Sequence, residues 1–329
     1  MRVYLTGGTG LLGSHMAELL RRRGHEVVAL CREGADVGFL ETIGCELVTG
    51  DVRSSPAALA PGIRGCSHVV HGAALVYAGG SWSSVYEVNV EGSRNVAQAA
   101  AAADVGHFLH VSSVAVYGTV HVVTDEEQAG FAALPETDYY ARSKREAEEV
   151  VRDVERSEGL PVTVMRPSAI YGERDRLMVP ALARICRRRW VPLFGSGDNT
   201  LPVVYAGNVA QAMLLVLEAS SGGPASTYDV GLDHLLTQRE LMSGLARGLG
   251  REPRFLRVPA RAVRAGVAIL SRAGVGTPGA RHLPLDRVAR LALGENPYPS
   301  RRIRRELGWD PPFGHAEALE RTGRWYTTI

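Results

Sequence analysis

Two side chains four residues apart suggest acid/base chemistry. Tyr140 and Lys144 form Tyr-x-x-x-Lys within Tyr140-Ala141-Arg142-Ser143-Lys144-Arg145-Glu146-Ala147-Glu148, a stretch of helix-forming residues. That spacing puts both side chains on one helix face. A free phenol titrates at about 10, too high for proton exchange at neutral pH, and a neighbouring ammonium would favour the phenolate and lower that value. The pair suits general acid/base work on an alcohol or ketone. Taken alone, the same spacing also decorates solvated helix faces. It gains weight from Val111-Ser112-Ser113-Val114-Ala115-Val116-Tyr117-Gly118, where an apolar run ends in two hydroxyls.

A second motif supplies a place for a dinucleotide. Leu5-Thr6-Gly7-Gly8-Thr9-Gly10-Leu11-Leu12-Gly13 follows an apolar run and opens a helical one. Two registers are open: Gly8, Gly10 and Gly13 read as GxGxxG, and Gly7, Gly10 and Gly13 as GxxGxxG. Either gives a tight turn whose backbone, at Gly7, Thr9, Gly10, Leu11, Leu12 and Gly13, approaches a pyrophosphate at a helix amino terminus. About 20 residues on, an acid would bind ribose hydroxyls and an arginine would accommodate a phosphate. Arg32 stands there after Ala29-Leu30-Cys31, which points to NADP, with NAD as the alternative if Glu33 or Asp36 turns inward. Asp51, in Gly50-Asp51-Val52, is placed to accept from an adenine amino group or to cap a turn.

The elements that must position these groups alternate. Apolar runs at Arg2 to Leu5, Val27 to Leu30, Glu46 to Thr49, His68 to His71, His107 to Ser112 and Val162 to Arg166 are separated by helical patterns. This predicts an α/β fold with a doubly wound parallel sheet covered on both faces. The first helix reads Leu11 to Arg23 and stops at Gly24; a long helix runs from about Ser83 to Ala103, with Gly92 marking close packing. After Gly172 helices predominate, and the only clear late strand is Ser226 to Val230. The expected division is a cofactor domain over 1–172 and a smaller, mostly helical substrate lobe over 173–329, with about 201–231 returning to the first domain.

Together these motifs resemble the extended short-chain dehydrogenase/reductase superfamily, the NAD-dependent epimerase/dehydratase family. His71-Gly72-Ala73-Ala74, Asn89-Val90-Glu91-Gly92, Arg166-Pro167, Ala169-Ile170-Tyr171-Gly172 and Arg305-Glu306-Leu307-Gly308-Trp309 extend the likeness over nearly the whole chain. The resemblance implies a Rossmann fold with Tyr140 as proton donor or acceptor. It further implies that Lys144 holds the nicotinamide ribose and tunes Tyr140, and that Ser113, rather than Ser112, bonds the reacting oxygen. Gly72, Ala73 and Ala74 would pass beneath the cofactor and Pro167 would line its site, while His71 reads as a packed strand-end residue and Asn89 as structural or water-holding. A homodimer through the helices at about Ser83 to Ala103 and Tyr140 to Arg156 is also implied.

Two reactions share this machinery: a single ketone–alcohol interconversion, and a transient oxidation in which a nucleotide-sugar is epimerised or dehydrated. Sugar-nucleotide members typically carry an arginine before an aromatic strand and an Arg-Pro-Gly-Asp segment. Here Leu201 takes the first position, and Asn296-Pro297-Tyr298-Pro299 precedes Arg301 without the second. Arg174, Arg176 or the run at Arg187 could substitute. The region instead resembles the 3β-hydroxysteroid dehydrogenase and dihydroflavonol-reductase-like branch, and apolar residues from Phe255 to Leu270 suit a hydrophobic small molecule. A cofactor-sensing module without catalysis is a third reading, opposed by the intact Tyr140, Lys144 and Ser113.

Composition limits other classes. The 329 residues are 45% hydrophobic and 22% charged with a formal charge of +2, which suits a globular protein and gives no footprint for nucleic acid. Cys31, Cys45, Cys66 and Cys186 lack metal or redox spacing, so no metal is expected. No signal peptide or membrane-spanning run is seen, which makes the cytoplasm the expected compartment. The stretch Val258 to Leu270 is read as an amphipathic helix lining the substrate lobe rather than a membrane-surface helix.

Overall fold

Residues with alternating or continuous apolar character enter the sheet, and the glycine and polar stretches between them turn the chain back. The computed structural model describes residues 1–76, 81–118, 126, 129–219, 227–272, 293 and 298–328. Ser226, Asn296 and Pro297, named above, lie outside the described residues. Strands β1 (Arg2–Thr6), β2 (Glu26–Cys31), β3 (Glu46–Thr49), β4 (His68–His71), β5 (His107–Val111) and β6 (Val162–Pro167) match the expected runs to within a residue or so. With β10 (Thr227–Val230) they form a seven-stranded sheet in the order β3-β2-β1-β4-β5-β6-β10, parallel at every pairing. The order reverses between β1 and β4, and in such sheets ligands bind at the carboxyl edge beside that point.

Helices cover both faces. One face carries α1 (Leu11–Arg22), α2 (Gly38–Thr42) and the later α8 (Ala206–Ala219), which bury Met16, Ala17, Leu20, Leu40, Met213 and Leu217 against the sheet. The other carries α3 (Pro56–Ile63), α5 (Gly92–Ala102) and α6 (Tyr139–Glu158), with Ile63, Val96, Val150 and Val151 inward. Because both faces are covered, the strands read as nearly unbroken apolar runs.

The long helix expected from Ser83 to Ala103 runs unbroken from Trp82 to Ala102 and widens midway. It comprises α4 (Trp82–Tyr86), a five-residue wide turn at Glu87–Glu91 and α5. The widened turn brings Asn89 inward, where its side chain bonds the loop after β4 and the helix α6. Gly92 is indeed a close-packing position: a Cβ there would lie 2.8 Å from Cγ2 of Val52.

The later chain holds more strands than Ser226 to Val230. Two parallel pairs join β7 (Ala169–Tyr171) to β9 (Val203–Tyr205) and β8 (Val191–Phe194) to β11 (Phe255–Val258). Runs of three or four residues, one of them containing Pro192, are too short to display a period. They pack with α7 (Val179–Cys186), α9 (Gln238–Gly248) and α12 (His315–Trp325) around a third apolar cluster that includes Tyr171, Leu193, Tyr205, Leu245 and Leu319. Between them lie α10 (Ala260–Arg272) and α11 (Arg301–Leu307).

Candidate active site

A cavity of about 1400 Å³ opens along the carboxyl edge of the sheet. Ser113, Tyr140, Lys144, Gly7, Thr9, Gly10, Leu11, Leu12, Gly13, Arg32, Asp51, Val52, Gly72, Ala73, Ala74 and Pro167 all line it. Residues far apart in the chain thus converge on one surface.

The turn after β1 settles the register of its glycines. Gly7 has φ +75°, and a Cβ there would lie 2.7 Å from the Gly72 carbonyl carbon; at Gly13 a Cβ would lie 2.1 Å from the Gly7 oxygen. Neither position admits another residue without moving backbone. Gly8 faces only side chains and is outside the cavity lining, so Gly7, Gly10 and Gly13 carry the constraint. Gly10 caps α1 without any side-chain hydrogen bond. The first amides of this 12-residue helix therefore face the cavity with their partial positive charge. A backbone this close and a helix start without a side-chain cap suit a dinucleotide pyrophosphate.

The loop after β4 is bolted to the same turn. Thr6 Oγ1 accepts from the amides of Gly72 at 3.2 Å and Ala73 at 3.1 Å. Its own proton then goes to His71 Nδ1 at 2.8 Å, so Nε2–H of His71 donates to Ser93 Oγ at 2.9 Å, and Ser93 donates to Asn89 O. Burial drives His71 down to about 3, with the Lys144 charge adding to the effect. His71 is thus a neutral packed histidine. Asn89 Oδ1 accepts from Leu75 N at 2.7 Å and Nδ2 donates to Ser143 Oγ at 2.9 Å, which fixes α6 one turn past Tyr140.

Where β5 ends against α6, Tyr140 and Ser113 share a side-chain hydrogen bond, and Ser113 accepts from Ala115 N to cap a short turn after β5. Ser112 points the other way and donates to Glu148 in the interior. Lys144 is 4% exposed and its Nζ donates to Val111 O at 2.7 Å. Burial raises the Tyr140 phenol to about 12, with the Ser113 hydrogen bond opposing. Lys144 is itself lowered to about 8 by burial, with Glu148 opposing. Its ammonium is spent on the Val111 carbonyl. Lys144 is also the only lysine in the chain: the other 36 of the 37 basic residues are arginine. Where arginine has taken every other cationic position, a compact ammonium that can enter this pocket is a compositional signal in its own right.

At the far end of the cavity, Arg32 is exposed and forms no ion pair among the described residues. Asp51 accepts from the Arg53 amide at 2.9 Å and from its guanidinium at 3.1 and 2.9 Å, and these bonds hold the carboxyl below its usual range. Asp36 does not line the cavity; it pairs with Arg176 at 3.2 Å. Arg174, at φ +69°, donates to Ser14 at 2.9 Å, pairs with Glu18 at 2.9 Å and lies over the Phe39 ring. Arg53 is a cavity residue the motifs did not single out, since a lone arginine after Asp51-Val52 matches no pattern.

The remaining lining includes an apolar set, Val76, Val114, Leu134, Pro135, Leu177, Met178, Val267, Ala268 and Tyr298, together with polar and charged residues such as Asp138, Ser168, Arg174, Asp175, Arg176 and Arg264. The Val258 to Leu270 stretch forms α10, whose Arg264, Val267 and Ala268 line the cavity. Leu201 is buried in the third apolar cluster, and none of Arg187, Arg188 and Arg189 lines the cavity. Among the described residues no helix is long and apolar enough to cross a membrane, and no cluster of His, Cys, Asp and Glu could hold a metal ion.

A dinucleotide edge, a Tyr–Lys–Ser centre and this sheet order define an NAD(P)-binding oxidoreductase fold of the short-chain dehydrogenase/reductase type. The model of the NAD dependent epimerase/dehydratase family matches residues 3–231, and the chain belongs to that family. It is 31% identical over 258 residues to the 2-alkyl-3-oxoalkanoate reductase of Stenotrophomonas maltophilia (strain K279a), covering 76% of each chain. It is 29% identical over 348 residues to 3beta-hydroxysteroid-dehydrogenase/decarboxylase isoform 2 of Arabidopsis thaliana, covering 97% of this chain and 60% of that one. Among solved structures, a dTDP-glucose 4,6-dehydratase from Streptomyces venezuelae with NAD bound is 27% identical with a TM-score of 0.74, covering 100% of this chain and 97% of that one.

Proposed function

We propose that this protein interconverts a secondary alcohol and a ketone on a hydrophobic small molecule, with NADP as the preferred partner and Tyr140 as general acid/base. The observation that carries the reading is the chemistry of the substrate half: Val114, Leu134, Pro135, Met178, Val267 and Ala268 line the cavity that holds the Tyr140 and Ser113 hydroxyls, and two of the arginines in that lining already pair with acids. Arg174 and Arg176 are committed to Glu18 and Asp36, and Leu201 is core. The likeness to a 2-alkyl-3-oxoalkanoate reductase and a hydroxysteroid dehydrogenase supports the same choice.

In this reading residues 1–172 hold the cofactor, residues 173–329 form the substrate lobe, and about 201–231 return to the first unit. Gly7, Gly10 and Gly13 admit the pyrophosphate to the amides of Leu11 and Leu12, while Gly72, Ala73, Ala74 and Pro167 floor the site. Arg32 meets a ribose phosphate, and Asp51 with Val52 receives the adenine. The bound nicotinamide supplies the hydride donor or acceptor. Ser113 and Tyr140 hold the substrate oxygen by two hydroxyls. Tyr140 gives or takes its proton as charge changes on that oxygen. Lys144, held against Val111 O, keeps a positive charge beside the centre.

The dehydratase likeness favours a second reading, transient oxidation of a sugar-nucleotide by retained NAD. Replacing Tyr140 with Phe tests both. Turnover of hydrophobic ketones with NADPH should fall at least about a hundredfold, with cofactor affinity near that of the wild type. Turnover that survives removes Tyr140 from the mechanism. A wild-type protein that purifies with retained NAD, and converts sugar-nucleotides but no ketone, overturns the reductase reading.

A further inference from the structure

Behind the cavity lies a buried polar chain that the reaction above does not use. Glu148 follows Lys144 by one helical turn on α6 and faces inward. Its carboxylate accepts from Arg166 Nε at 2.9 Å and Nη2 at 2.6 Å, and from Ser112 Oγ. Arg166, on β6, also donates to Tyr117 OH at 2.7 Å and to the Glu126 carbonyl at 3.2 Å. Tyr117 in turn donates to Asp229 on β10 at 3.0 Å. Placing an ion pair here costs desolvation that apolar packing would avoid. Its position next to the site's cation supplies a reason for it.

The titratable groups around Lys144 come from every element packed on this part of α6. Tyr140 lies one turn before it and is neutral, its phenol raised by burial. His71 on β4 and His110 on β5 are fully buried and driven well down, so both imidazoles are neutral. The wide turn brings Asn89, an amide, and Glu87, whose carboxylate accepts from Ser83 at 3.1 Å. Asp229 is raised to about 8 by burial, against the Arg166 charge, and stays largely protonated at neutral pH. Among the described residues Glu148 is the one acid that shifts Lys144, and the Arg166 charge is not among the groups that do.

Glu148 also reaches the reacting centre by a second route. Ser112, its hydrogen-bond partner, lies between Val111, whose carbonyl accepts from Lys144, and Ser113, which bonds Tyr140. One carboxylate thereby holds Ser112, the residue between those that bond Lys144 and Tyr140.

We propose that Glu148 is a positioning residue of this site: from one turn beyond, it keeps Lys144 in its cationic form and, through Ser112, anchors the strand end that presents Ser113. The proposal rests on the reading of Tyr140, Lys144 and Ser113 as the reacting centre. Arg166 serves it by fixing the carboxylate in place with a forked pair of bonds. Glu148 touches neither substrate nor cofactor, so its effect is exerted through charge and through the strand. Loss of the charge makes Lys144 shed its proton at lower pH and leaves turnover failing first on the alkaline side.

Since Lys144 is the only lysine, protein grown on lysine carrying 13C at Cε gives a single side-chain resonance. Its pH titration reports this amine with no substrate and no turnover. The wild-type midpoint is expected at about 8. Glu148→Gln, which keeps the acceptor for Ser112 but loses the charge, should lower it by about one pH unit or more. Glu148→Asp should bring it back toward the wild-type value. Arg166 left without its acid threatens folding, so Glu148→Met with Arg166→Met replaces the pair by apolar side chains, and there too the midpoint should fall. An unmoved or raised midpoint in either folded variant overturns the proposal. A wrong substrate class would not affect this titration, whereas Tyr140→Phe tests that reading separately.

Discussion

Replacing Lys144 by Met should stabilise the protein while ending its chemistry. The amine of an exposed lysine holds its proton to 10.5, and burial brings Lys144 to about 8. That displacement corresponds to about 3 kcal/mol carried by the folded state wherever the ammonium is charged. Methionine has a similar stem and adapts its shape to a narrow site. It leaves the Val111 carbonyl without the 2.7 Å hydrogen bond from Lys144, a loss of roughly 1 to 2 kcal/mol. A net gain of about 1 to 2 kcal/mol at pH 7 remains. The pH dependence isolates the cause. Because the folded-state value lies below the unfolded one, the unfolded wild-type chain binds more protons between pH about 8 and 10.5, and wild-type stability rises across that window. The advantage of Lys144→Met is therefore full below pH 8 and shrinks above it. Urea denaturation of both proteins at neutral and alkaline pH reads the difference directly. A variant that is less stable at neutral pH, or a difference that does not change with pH, would refute the charge-burial account.

Two further substitutions probe the cofactor end. Gly13→Ala places a Cβ 2.1 Å from the Gly7 oxygen, so the turn must move; a strain of about 3 kcal/mol should weaken dinucleotide binding roughly a hundredfold in fluorescence titrations. Near-normal affinity would remove that turn from the cofactor site. Arg32→Ala should weaken NADPH by about tenfold or more through loss of a charged hydrogen bond while leaving NADH nearly unchanged, and equal losses would defeat the phosphate assignment.

Much of the architecture is legible along the chain because it depends on neighbours in sequence. Strands β1 to β6 are apolar runs that need no partner to be recognised, and the glycine turn follows from its place between strand and helix. Tyr140 and Lys144 share a helix face by spacing alone, and the rarity of lysine marks the second of them. Less legible are β7, β8, β9 and β11, whose three or four residues carry no period, and the widened turn at Glu87–Glu91, which forms because Asn89 bonds the Leu75 backbone and Ser143 in other elements.

By itself the sequence determined the alternation of strand and helix, the glycine turn between the first strand and helix, and a phenol and an ammonium on one helix face, all of which follow from local periodicity and residue type. Only the tertiary structure decided between Gly7 and Gly8, because the choice depends on how close Gly72 comes from 65 residues away. It alone sent Ser112 inward to Glu148 and Ser113 toward Tyr140, and paired Arg176 with Asp36. Spacing on a helix carries no information about desolvation; packing adds it, and burial raises the Tyr140 phenol and lowers the Lys144 ammonium.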